Sequence, residues 1–151
     1  MVTLRQSDID FIAGQVVSET LERQGNALIE TVAGSEQLMK IAKQYINCAS
    51  NKTQGRMFEI IESTKFNAVA AKAGSVLRAV TTDQLGEPHA AADILIRNPS
   101  GDILKEIQAK SYNKATTTAR AVSDAKYKAM DRLVNIENEE KVNELIEKRM
   151  N

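Results

Sequence analysis

Asp93, Gln108 and Lys110 bring a carboxylate, an amide oxygen and an ammonium into one short stretch of chain. Two apolar-rich runs carry them, Asp93-Ile-Leu-Ile-Arg97 and Ile103-Leu-Lys-Glu-Ile-Gln-Ala-Lys-Ser111, joined by Asn98-Pro99-Ser100-Gly101. Pro and Gly stand there as in a type I turn, so the pair reads as a β-hairpin. Successive strand side chains point to opposite faces, which puts Glu106, Gln108 and Lys110 on one side and Ile107 and Ala109 on the other. A turn pairing Asn98 with Gly101 sets Asp93 opposite Glu106, on that same polar side, with Ile94 and Ile96 turned to the core. Phosphodiester hydrolysis uses such groups. Carboxylate and amide oxygens suit a hard Mg²⁺, the ion polarises the phosphate, and a Lys orients water and offsets developing charge. An amphipathic hairpin whose polar face meets solvent would show the same spacing, so the bare pattern leaves both readings open.

The elements around the hairpin follow from periodicity. The first 50 residues read as helix: Ser7-Asp8-Ile9-Asp10 offers an N-cap, and Ile9, Ile12, Val16, Val17 and Leu21 recur at helical spacing. Gly25-Asn26 weakens that pattern, and Gly34-Ser35 divides it from a second helical segment carrying Leu38, Ile41, Ala42, Tyr45 and Ile46. Asn47 to Gly55 is polar and reads as a loop, the best internal boundary. A helix over Arg56–Ala73 should stop at Gly74 in the C′ position. Val76–Val80 reads as a strand, 114–130 as a helix, Arg132–Asn135 as a short strand and 137–150 as a last helix. The expectation is an α/β fold: a small mixed sheet flanked by helices, with a helical N-terminal segment over 1–54 and the main unit over 55–151.

Wider context sharpens the hairpin. Ala92-Asp93-Ile-Leu-Ile, a turn, then Glu106-Ile-Gln108-Ala-Lys110-Ser resembles motifs II and III of the PD-(D/E)xK nuclease superfamily, and the Gln-x-Lys form is similar to that of Mrr-like restriction endonucleases. Gly55-Arg-Met-Phe58-Glu59 resembles the start of that family's first helix, and the α-β-β-β-α-β order agrees with its core. The resemblance spans roughly residues 55–135. It implies Asp93, Gln108, Lys110 and Glu59 as catalytic residues, with Asp93, Gln108 and Glu59 around Mg²⁺ or Mn²⁺. It also implies cleavage of nucleic acid, with DNA favoured because the nearest-looking families act on it. Ala92 replaces the Pro of the motif name, and Gln108 replaces an acid, which lowers the negative charge around a metal. Glu62 lies one turn from Glu59, so the helix acid is ambiguous, with Glu59 favoured by its Phe-Glu context.

His89, the only histidine, sits in Gly86-Glu-Pro-His and could touch substrate or carry a proton; a loop histidine with a backbone partner is the bland alternative. Lys114 and Arg120 open the helix after the hairpin and could grip a nucleic-acid backbone, or simply be solvated. Ser111 and Tyr112 could reach a phosphate, though such residues at a strand end are routine. Seven basic residues against three acidic ones lie between Ile103 and Arg132, and the balance reverses beyond Leu133.

Composition sets the frame. An apolar fraction of 42% and a charged fraction of 26% suit one globular domain with perhaps a helical appendage. Formal net charge is zero, so the whole molecule is no electrostatic magnet for nucleic acid. Cys48 stands alone, which excludes an internal disulfide and a cysteine-pair zinc site. Without a signal-like N-terminus or a long apolar run, the expected address is cytoplasmic, with no membrane partner. No P-loop, dinucleotide-binding glycine pattern or Ser/His/Asp arrangement is visible. Two rivals accompany the nuclease: a catalytically inactive nuclease-fold protein that binds nucleic acid or protein, and a helical module whose N-terminal helices form a homodimer.

Overall fold

A computed structural model describes residues 3–110 and 130–134 together with residue 147. The helices expected over 114–130 and 137–150 lie outside the described residues, apart from single positions. The fold is mixed α/β. Two helices, α1 (Gln6–Gln44) and α2 (Ser50–Lys72), precede β1 (Arg78–Thr81), β2 (Ile94–Arg97), β3 (Ile103–Lys110) and β4 (Asp131–Val134). The strands form one sheet in the order β1-β2-β3-β4, antiparallel except for β4, which runs parallel to β3. No helix among the described residues is long and apolar enough to cross a membrane.

The N-terminal helix is one rod of 39 residues, about 58 Å long, and not two segments divided at Gly34-Ser35. Hydroxyls that could cap a break bond backward along the helix instead: Thr31 Oγ1 donates to the Ala27 carbonyl and Ser35 Oγ to that of Thr31. Gly34 serves packing. A Cβ built there would land on the Thr64 side chain, so α1 and α2 approach as closely as a glycine permits. Ile41, Tyr45 and Ile60 fill the same seam. The stretch 47–55, expected as a loop, is helical from Ser50 onward, leaving a short turn between the rods.

The stop of α2 is the expected one. Gly74 has φ +77°, its N–H donates to the Ala71 carbonyl, and Ser75 N–H donates to that of Ala70. That is a Schellman ending. One face of α2, Glu59-Ser63-Ala70, is buried toward the sheet, while Ile60 faces α1. Phe58 and Phe66 pack on the core of Ala79, Ile94, Ile96 and Ala109. Asn67 clamps the edge strand, donating to the Ala79 carbonyl and accepting from its N–H.

The hairpin forms, but its register differs from the expected one. Asn98 N–H pairs with the Asp102 carbonyl, because Gly101 at φ +87° adds one residue after the turn. A second irregularity falls between Ile96 and Arg97, after which Ile96 faces Lys105 and Ile94 faces Ile107. Asp93, just before β2, does not lie opposite Glu106: its N–H donates to the carbonyl of Ile107, the residue that also faces Ile94. Two residues of one chain segment thus meet one of the other, and the alternation along β2 does not carry over to Asp93.

Candidate functional site

The site gathers where β2 begins and β3 ends. With β2 not extending past Asp93, the Ala109 N–H has no strand partner there and donates instead to Asp93 Oδ2 at 2.9 Å. Lys110 Nζ donates to the same oxygen at 3.3 Å. Asp93 is buried, and the Lys110 side chain is mostly so. Strand parity puts Gln108 on the face of Lys110. Gln108 is fully buried at 0% exposure, and neither its amide oxygen nor its amide nitrogen has a hydrogen-bond partner. Leaving such atoms bare costs on the order of 1–3 kcal/mol each.

Glu59 enters from α2 at 5% exposure. Burial and the nearby Asp93 charge push its carboxyl from 4.5 up to about 7, against the opposing pull of Arg56 and Lys110. Two carboxyls and an ammonium thus sense one another at a single strand end. Of the two helix acids, Glu59 lies near enough to feel the charges of Asp93 and Lys110, whereas Glu62 pairs with Lys65 at 3.1 Å.

The sequence reading placed Arg56 and Tyr45 only as helix residues with no part in the site, and missed Asp83 entirely. Arg56 NH1 donates to Glu59 at 3.2 Å and NH2 to the Pro88 carbonyl at 2.7 Å, and its guanidinium lies 3.9 Å from Asp83. Tyr45 donates to Asp83 at 3.1 Å. The network ties the end of α1, the start of α2 and the loop before β2 around Glu59. The i, i+3 spacing of Arg56 and Glu59 was a readable signal; the link to Asp83, distant in sequence, was not.

His89 is exposed in the loop before β2, beside the Pro88 carbonyl that Arg56 holds. Among the described residues, no hydrogen bond or ion pair joins its ring to Glu59, Asp93, Gln108 or Lys110. Lys114 and Arg120, like Ser111 and Tyr112, lie outside the described residues. Lys105 of the basic stretch pairs with Asp131 at 2.8 Å.

The donor set suits a hard divalent cation. It would offset the burial and the neighbouring Asp93 charge that raise the Glu59 carboxyl, and give the Gln108 oxygen a partner. Among the described residues no cluster of three or more His, Cys, Asp or Glu side chains could hold an ion. A cation here would therefore rest on two carboxylates, Glu59 and Asp93, with amide, backbone and water oxygens completing the shell. No family model, no curated protein and no solved structure matches the chain.

Proposed function

We propose that the chain is a metal-dependent nuclease that hydrolyses phosphodiester bonds, with DNA as its substrate and a restriction-endonuclease-like core around the site. The observation that carries this reading is the buried, mutually repelling pair Glu59 and Asp93 with Lys110 bonded to one of them. A fold gains no stability from crowding two acids beside a partnerless buried amide, so the cost points to a ligand. Glu59, Asp93 and Gln108 would hold Mg²⁺ or Mn²⁺. The bound ion would supply polarisation of the phosphate and a water of lowered pKa. Lys110 orients the attacking water and offsets charge building on the phosphate. Arg56 holds Glu59 in place and leaves the carboxylate pair to the cation.

A second reading keeps the fold without catalysis. Gln108 favours it, because an amide where the resembling family has an acid leaves the site one negative charge short.

Two measurements separate these readings. Calorimetry with Mn²⁺ should show binding to the wild type and at least about tenfold weaker binding to Asp93→Asn, which still can accept the Ala109 hydrogen bond. Equal affinity in the two proteins removes the metal site. Mg²⁺-dependent nicking of plasmid DNA should fall by about 10²–10³-fold in Lys110→Ala, assayed at a temperature where circular dichroism shows the variant folded, because loss of the ion pair to buried Asp93 also lowers its melting temperature. A wild type that binds Mn²⁺ but cuts neither DNA nor RNA leaves the binding protein as the answer.

A further inference from the structure

The face of α1 turned away from α2 has no partner among the described residues. Contacts toward the body of the molecule use Arg23 against Gly74, Glu30 on Arg78, Gly34 on Thr64, and Ile41 and Tyr45. At about 100° per residue, a second stripe runs some 130° around the rod: Val17, Leu21, Leu28, Val32 and Met39. These side chains are between 50 and 63% exposed. A contiguous apolar stripe of this kind marks an interaction surface.

The order of residues along the stripe says what covers it. Val17 and Val32 lie equally far from the midpoint between Gln24 and Gly25, and so do Leu21 and Leu28. The central four residues, Val17, Leu21, Leu28 and Val32, read the same from both ends and so complement themselves under a two-fold axis, which is the condition for an isologous contact, while Met39 has Asp10 at its mirror position. Charge selects the direction. Asp10 extends the stripe at its N-terminal end, and Lys43 flanks it at the other. Antiparallel copies bring unlike charges together; parallel copies would oppose Asp10 to Asp10 and Lys43 to Lys43.

Glycine supplies a further observation. A glycine inside a helix costs about 1 kcal/mol relative to alanine. Gly34 has its reason in Thr64, but a Cβ at Gly14 or Gly25 would meet nothing within 4 Å. Both border the exposed stripe, and Gly25 sits at its midpoint, where two crossing helices come closest. In the antiparallel register Gly14 would lie opposite Ser35 of the second copy, another small residue.

We infer that α1 is a homodimerisation element, pairing antiparallel with α1 of a second copy through Val17, Leu21, Leu28 and Val32 about an axis at Gln24-Gly25. The inference rests on the stripe alone and stands apart from the nuclease reading. Sedimentation equilibrium under reducing conditions, which keep Cys48 from linking chains, should show a dimer at concentrations on the order of 10–100 μM. The variant L21E/L28E should weaken association by at least about a hundredfold while keeping its helix content and cooperative melting, since both residues are exposed. In L21E/L28K the new charges face their opposites across the axis only in the antiparallel arrangement. That variant should associate at least about tenfold more tightly than L21E/L28E. A monomeric wild type, with the stripe covered by the chain's own residues 135–151 or by nothing, overturns the proposal. So does a dimer indifferent to L21E/L28E. Equal weakening in both variants overturns the antiparallel arrangement.

Discussion

Two interiors of this molecule are built on opposite terms. Where α1 meets α2, burial and side-chain type agree: glycine at the closest approach, then Ile41, Ile60 and Tyr45, whose hydroxyl finds Asp83. Where β2 meets β3 and α2, burial and type conflict. Glu59 is driven toward its neutral form, and the Gln108 side-chain amide is enclosed without a hydrogen bond. The first region is optimised for the folded chain on its own, whereas the second makes sense only with something added to it. That contrast, more than any single motif, is what the proposed site at the strand end rests on.

The largest expected effect that would break this contrast is on stability against pH. The carboxyl of Glu59 rises from 4.5 to about 7 on folding, so between these values the folded state binds the extra proton. Stability therefore falls as pH rises from about 4.5 to 7, by up to about 3 kcal/mol, and the contribution levels off above that range. Urea denaturation across this window should show the slope in the wild type and its loss in Glu59→Gln. Saturating Mn²⁺ should also flatten it, because the ion favours the carboxylate. An identical slope in Glu59→Gln would mean that the two interiors do not differ in this way.

A smaller effect should come with reversed sign. Replacing the unsatisfied amide by an apolar chain of similar length, Gln108→Met, should stabilise the metal-free protein by about 1–3 kcal/mol in denaturant titrations. Its affinity for Mn²⁺ should drop in parallel. A destabilised Gln108→Met protein would mean that the amide has partners within the fold and that the site is structural.

The smallest effect belongs to the helix seam. Gly34→Ala gains about 1 kcal/mol of helix propensity but drives a methyl into Thr64, an overpacking cost of about 1–3 kcal/mol. Net destabilisation of roughly 1 kcal/mol, read from thermal melts, is the expected outcome, and Thr64→Ser in the same chain should recover part of it. A stabilised Gly34→Ala would show that the rods have room to separate, and the seam would then be no more finely matched than the strand end.

Much of the local structure was legible because it is encoded locally. The turn at Asn98–Gly101, the stop at Gly74 and the apolar faces of the strands each depend on residues within a few positions of one another. The polar side shared by Gln108 and Lys110 was legible because alternation within one strand does not depend on the hairpin register, whereas the contact of Asp93 with Lys110 had to be seen. The glycines of α1 misled local reasoning. Their cost of about 1 kcal/mol suggests a break, whereas packing along a 39-residue rod outweighs it.

The sequence by itself determined the hairpin, its polar side and the residue types that could do chemistry, because alternation and turn chemistry act within the strand. Only the tertiary structure decided that Glu59 comes near Asp93 and Lys110, since that depends on how α2 is rotated against the sheet. It alone decided that Arg56 reaches Asp83 and Pro88, across a loop. And it alone enclosed Gln108, because enclosure is set by everything packed around a residue and not by its neighbours in sequence.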